Sequence, residues 1–336
     1  MTTLPRAAAR LCACAGTLAA LLAGLLAGPA ARAGFPERPI TLVVPFPAGG
    51  TSDKVGRDLA EALRKVLGQP VLVDNVNGAG GVIGTARVAH AAPDGYTLLV
   101  NNMAFALAPS LYSRPGYDAL RDFEFLGVIN DSPSALIGRP TLPANTFGEL
   151  RQWIADNGDR VNLAHGGVGS AAYLCDLVLQ SALGARMTLV PYKGSAGSMT
   201  DLMGGQVDLT CTTTINATPQ IAAKQVKAYG VTSTRRATAA ALAQLPTLDE
   251  AGLKGFSFSV WHGVFAPRGT PPAVVQQLNA ALRTALQDPE LVRREEALGI
   301  TMVDDQRLSP AGHRQYVAAE VARWAQVFKE AGVKPE

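Results

Sequence analysis

The sequence predicts an α/β protein of two domains, each a mostly parallel sheet flanked by helices, on three observations. Apolar, β-branched runs alternate with amphipathic stretches along nearly the whole chain after its first thirty-odd residues, the pattern that β-α units give. One motif of strand, glycine-rich turn and helix start occurs twice, at residues 43–53 and 162–171. After the second series a strand and two helices remain with no sheet of their own, so they most simply return to the first domain.

Residues 1–33 read as an export signal. Arg6 and Arg10 form the positive start, residues 11–28 the apolar run, and Ala31-Arg32-Ala33 a small-x-small site that places cleavage before Gly34. A membrane anchor is the alternative, since eighteen residues reach the lower edge of a spanning length, but the run is rich in Ala and Gly and ends in a cleavage site. A lipid attachment at Cys12 or Cys14 is weaker still as an alternative, because both precede the bulk of the apolar run. No second run of that length follows, so the processed protein is expected to be soluble and periplasmic. Without Arg6, Arg10 and Arg32 it carries 27 basic residues against 27 acidic ones. It has no basic cluster longer than Arg235-Arg236 or Arg293-Arg294, which argues against nucleic acid. Nothing in the sequence calls for more than a monomer.

Residues 40–46 form an apolar run that stops at Pro47 and the glycines, hence a buried strand. The helix after it, residues 53–67, places Val55, Leu59, Leu63, Val66 and Leu67 on one face, with Ser52 or Asp53 as cap and Gly68 as stop. A second unit has a strand at 71–75, a turn at 78–81 and a helix to about Ala91, and a third strand covers 96–101. The second domain begins with a strand near 135–138 and continues through a helix at 147–157, a strand at 161–164, a helix at 171–183, and strands at 187–191, 207–212 and 226–232. The strand at 259–266 and helices at 272–286 and 310–331 complete the chain. The expected domains are residues 34–133 plus 233–336, and residues 134–232. A chain that leaves one domain and returns crosses twice, which makes a hinge with a cleft between the lobes.

Each repeated turn is an anion cradle, where free N–H groups and the positive end of a helix favour a carboxylate or phosphate. Gly49 and Gly169 stand where the backbone must meet the ligand, so a side chain at either is expected to block access without loss of packing. Catalytic patterns are otherwise missing. No Gly-Lys dipeptide exists, which excludes a Walker A loop. Gly78-Ala79-Gly80-Gly81-Val82-Ile83-Gly84 has the wrong spacing for a dinucleotide turn and reads as close strand–helix packing. His90, His165, His262 and His313 are scattered without metal-ligand spacing, so neither a metal nor a cofactor is expected. Trp261-His262-Gly263 either lines the cleft or ends a core strand. Ser170 and Ser195 lack a nucleophile-elbow pattern.

Cys175 and Cys211 remain once the leader is removed. In an oxidising compartment they can pair, and the alternative is two buried thiols. One lies on the helix after the second cradle and the other on a strand soon after it, and we expect a disulfide.

The ordered set Val44-Pro45-Phe46-Pro47-Ala48-Gly49-Gly50, Gly78-Ala79-Gly80-Gly81, Pro93-Asp94-Gly95-Tyr96-Thr97-Leu98-Leu99, Val190-Pro191-Tyr192-Lys193-Gly194, Gly204-Gly205-Gln206-Val207-Asp208-Leu209 and Leu245-Pro246-Thr247 resembles the Bug (TctC) receptors of tripartite tricarboxylate transporters. The resemblance covers nearly the whole chain after the leader. It implies a type II Venus-flytrap periplasmic binding protein, not an enzyme, that pinches a small carboxylate and delivers it to a permease of one large and one small membrane subunit. The implied ligand contacts are Phe46, Ala48, Gly49, Gly50, Thr51 and Asp53 in the first loop, Asn102 at a strand end, His165, Gly169, Ser170 and Ala171 in the second loop, and Thr213 and Asn216 beyond it. Cys175 and the segment 211–216 look closest to the branch that binds acidic amino acids. Tyr173 and Thr212 stand where members commonly have His and Asp. If that Asp orients an ammonium group in relatives, its replacement moves the expectation towards a plain mono- or dicarboxylate.

Three rivals differ in class. A secreted hydrolase would use Ser170 or Cys175, but lacks a base and orienting acid at recognisable spacing. The effector-sensing lobes of a transcription regulator would need a DNA-binding helix pair where the leader stands. A sensor kinase in place of, or beside, the permease is compatible with the same fold.

Overall fold

Ile40–Val44 (β1) is fully covered at four of its five positions, as expected of a strand with helices on both faces. It pairs in parallel with Val71–Asn75 (β2) and Thr97–Asn102 (β3). The connections are Thr51–Leu67 (α1), which buries Val55, Leu59, Ala62 and Leu63, and Val82–Ala89 (α2). Val66, expected on the same face, is exposed in the last turn. Gly84 has the role read from its sequence context, because a Cβ there would meet the Val76 carbonyl at 2.5 Å and Pro45 at 2.8 Å. The computed structural model describes residues 34–167, 169–330, 332, 333 and 335, so the expected export signal with Cys12 and Cys14 lies outside the described residues. Residues 34–37 are the described part of a small N-terminal unit and are irregular; residues 38–336 make the other unit.

Phe123–Gly138 (β4) is sixteen residues long, where only its last few were expected as strand. Its first part, through Pro133, pairs antiparallel with Ser259–Pro267 (β9). From Ser134 onwards it pairs antiparallel with Leu209–Thr213 (β7) and Lys227–Val231 (β8). One strand therefore belongs to two sheets. The first runs β2-β1-β3-β9-β4, with the short Thr301–Met302 (β10) also on β4. The second runs β8-β4-β7-β5-β6, where Asn162–His165 (β5) lies parallel to both β7 and Thr188–Pro191 (β6). Each sheet is parallel where β-α units build it and antiparallel where the chain crosses, giving a mixed α/β fold of two lobes. Asn130, Asp131, Ser132, Pro133 and Ser134 form the middle of β4. Asn130, Ser132 and Ser134 are fully buried.

Ala104–Leu111 (α3) follows β3. The second sheet carries Phe147–Asn157 (α4), Ala171–Leu183 (α5), Ser195–Met203 (α6) and Thr214–Ala222 (α7). The last helices, Pro272–Ala285 (α8), Pro289–Glu296 (α9) and Pro310–Glu330 (α10), return to the first sheet, with α8 on α1 and α10 on α3 and β4. Phe105, Phe123, Phe125 and Phe265 form the aromatic centre there, with Phe105 stacked on Phe265 at 4.1 Å between centroids. In the second lobe a disulfide joins Cys175 of α5 to Cys211 of β7, with 5.9 Å between Cα atoms.

Candidate functional site

Strands β1, β3, β5, β6 and β7 each run into the N-terminus of a helix, and all five termini border one cavity of about 350 Å³. This is where α/β sheets place ligands, outside the carboxyl ends of their strands. Gly50, Thr51 and Ser52 come from α1, Asn102, Met103 and Ala104 from the start of α3, and Gly169, Ser170 and Ala171 from the start of α5. Gly194 and Ser195 come from α6, and Thr212, Thr213 and Asn216 from α7. Phe46, Pro47, Leu107, Leu111 and Val260 supply apolar wall. Among the described residues, no Lys, Arg, His, Asp or Glu lines it. An anion here would meet backbone amides, hydroxyls and helix dipoles instead of a cation.

The first loop is fixed from below by Asp53. Its Oδ2 accepts the Gly49 amide at 2.8 Å and Arg57 Nε at 2.9 Å, and its Oδ1 accepts Asn75 Nδ2 at 2.9 Å. Burial works against ionisation, but those hydrogen bonds hold the Asp53 pKa below the ordinary aspartate value. In the second loop, Ser170 Oγ caps α5 by accepting the Tyr173 amide at 3.2 Å. The Gly167 amide donates to His165 Nδ1 at 3.2 Å, and burial keeps the His165 pKa below the usual histidine value. The loop before α6 closes against it through Gly194 N–H to the Gly166 carbonyl at 3.3 Å. Asn216 Nδ2 spans Ser195 Oγ and Thr212 Oγ1 at 3.2 and 3.4 Å. Thr213 Oγ1 is buried at the cavity with no hydrogen-bond partner among the described residues.

Phe46, Gly50, Thr51, Asn102, Gly169, Ser170, Ala171, Thr213 and Asn216 thus lie together on the cavity wall. Ala48, Gly49, Asp53 and His165 lie outside that lining. Asp53 turns inward because it has the Gly49, Arg57 and Asn75 donors to bind, and His165 because its ring packs 5.0 Å from Tyr173. Gly49 and Gly169 both have positive φ, 80° and 79°. A side chain at either therefore strains the backbone itself, contrary to the expectation of blocked access alone.

Sequence reasoning placed Ser52 within the first cradle without singling it out as a contact, and missed the α3 wall and the third cradle at Gly194-Ser195. The last was findable, since Val190 to Ser195 repeats the strand, glycine and helix-start order. Trp261, His262 and Gly263 lie in mid-strand in the core. The two nucleophiles weighed for a hydrolase are both occupied, Ser170 as a helix cap and Cys175 in the disulfide.

Among known proteins, the family described as "Tripartite tricarboxylate transporter family receptor" matches residues 55–333. The solved periplasmic binding protein BugD is 45% identical, with a TM-score of 0.78 over 90% of this chain and all of that one. MatC from Rhodopseudomonas palustris, solved with bound malate, is 37% identical with a TM-score of 0.75 over 87% of this chain and 99% of that one. A further R. palustris protein, solved with adipate, is 32% identical with a TM-score of 0.80 over 90% of this chain and all of that one.

Proposed function

This chain belongs to the tripartite tricarboxylate transporter receptor family, a family of solute-binding receptors, and we propose that it captures a small carboxylate between its lobes for a membrane permease. The observation that carries the proposal is the uncharged cavity on which five helix N-termini converge. Each terminus contributes up to about half a positive charge, so two of them balance one carboxylate without a side-chain cation. The unpartnered Thr213 hydroxyl offers a further donor. Carboxylates of four and six carbons occupy two solved relatives, malate in one and adipate in the other. The leader and the family together support a periplasmic receptor that hands its ligand to the membrane subunits of a tripartite transporter. The lobes would comprise residues 34–133 plus 233–336 and residues 134–232, closing about the crossover strands.

A thermal-shift panel tests this reading. Carboxylates of three to six carbons should raise the melting temperature of the protein, while sugars and cationic amines should not. A response confined to sugars or amines would overturn it.

A further inference from the structure

The two walls of the cavity differ in kind. On the side of the second sheet, no lining side chain among the described residues is larger than asparagine. The first turns of α6 and α7 carry no side-chain cap, which leaves their leading amides for a ligand. Thr213, at the entry to α7, adds a buried hydroxyl with no partner among the described residues. A carboxylate is well held there. The side of the first sheet is built otherwise. Ser52 Oγ is taken up beneath the wall by Asn102 Nδ2 and by His262 Nε2, each 3.1 Å away. At α3 the Ala104 N–H donates to Asn102 Oδ1 at 2.8 Å, and the Ala106 and Leu107 amides turn back on the Met103 carbonyl at 2.9 and 3.3 Å. With those amides spent, α3 meets a ligand chiefly through its side chains.

Those side chains are apolar. Met103, Leu107 and Leu111 follow at four-residue spacing along one stripe of α3, and all three line the cavity. Met103 and Leu107 are buried, whereas Leu111, Tyr112 and Phe46 are only half-buried and keep part of their surface uncovered. The two rings are seated by the glycine turn at residues 78–81. A Cβ on Gly81 would lie 3.2 Å from Phe46 Cζ, and one on Gly80 would lie 2.7 Å from Tyr112 Oη, so both rings rest on backbone that carries no side chain. Leu111 reaches the second loop across the cavity, 3.5 Å from where a Gly169 Cβ would stand. Half-covered apolar surface in a cleft is stabilised when a hydrocarbon covers it, whereas a hydroxyl pressed against it loses its water without gaining a partner. Resting on the carboxylate reading above, we propose that Phe46, Leu111 and Tyr112 form an apolar subsite for the body of the ligand. The cleft then takes carboxylates with an unsubstituted hydrocarbon chain or ring and discriminates against hydroxylated ones of the same length.

Calorimetry tests this with butyrate, pentanoate and hexanoate, with gluconate as the hydroxylated counterpart of hexanoate and succinate beside them. Each added methylene should tighten binding about three- to fourfold, the factor that burying one CH₂ supplies. Hexanoate should bind about tenfold or more tightly than gluconate, whose hydroxyls must shed water against the same wall. Leu111→Asn and Phe46→Ser should each bring the gain per methylene below about twofold, while butyrate stays within about threefold of its affinity for the parent. Either variant suffices if the other fails to fold, and the parent series decides if neither does. A flat series, gluconate bound as tightly as hexanoate, succinate bound with none of the monocarboxylates, or a full gain per methylene in every folded variant would overturn the subsite while leaving the carboxylate reading standing. Binding of none of the five acids, with the protein stabilised by sugars or amines instead, would overturn both.

Discussion

Thr232 and Ser134 hold each other where the chain passes between its two sheets. The Thr232 amide donates to the Ser134 carbonyl at 2.8 Å, and the Ser134 amide donates back to Thr232 Oγ1 at 2.7 Å. The Thr232 hydroxyl proton reaches the Phe258 carbonyl at 2.6 Å. One buried hydroxyl thus ties together β4 at its change of sheet, the exit from β8 and the approach to β9.

Thr232→Val preserves shape but leaves the buried Ser134 N–H without its acceptor. Such an orphan costs about 1–3 kcal/mol. Urea denaturation should show a loss of that size for Thr232→Val and a much smaller one for Thr232→Ser, which retains the hydroxyl. Equal stability of the valine variant and the parent would mean that the backbone pairing alone holds the crossover.

The Cys175–Cys211 bridge closes a separation of 36 residues. In the chain-entropy account a loop of that length contributes roughly 3–4 kcal/mol. A chain starting at Gly34, denatured without reductant, should titrate no free thiol, and two free thiols would refute the bridge. Its denaturation midpoint in urea should fall when reductant is present throughout.

His313 is fully buried between Trp261, Phe125 and Phe265, and among the described residues neither ring nitrogen has a hydrogen-bond partner. Burial pushes its pKa down to about 3, so the folded ring stays neutral where the unfolded one, near 6.5, takes up a proton. The unfolded state therefore binds more protons between these values. The stability in question is fully present above about pH 6.5 and is lost as pH falls towards 3, by about 1.4 kcal/mol per unit. Between pH 7.5 and 5.0 the parent should lose about 2 kcal/mol more than His313→Leu, measured by urea denaturation at both values. His262 titrates in the same direction but is present in both proteins and cancels. Parallel pH profiles would show that His313 takes up its proton in the folded state.

Much of the fold is legible in the sequence because β-α units announce themselves locally. Residues 40–46, the helix face of Val55, Leu59 and Leu63, and the stop at Gly68 need only neighbours a few positions away, and the structure places a buried strand and a helix there. The cradles at the starts of α1 and α5 follow from the same turn chemistry. The second half of the cavity does not. The convergence of α3, α6 and α7 with those two is a consequence of strand order, which no local pattern states.

The use made of buried polar residues comes from tertiary packing alone. Asn130 to Ser134 look like a loop because five successive polar or proline residues carry no apolar period, yet they continue a strand, in which Asn130 Oδ1 meets the His262 ring and the Ser134 amide meets the Thr232 hydroxyl far along the chain. Asp53 looks like a ligand contact beside a glycine turn, but Arg57 and Asn75 give its carboxylate a better partner beneath the loop. Ser52 and His262 are 210 residues apart. Propensity and periodicity fix where strands and helices form because they act over one or two turns, while the direction of a buried hydrogen bond depends on which donors and acceptors the finished packing brings within reach.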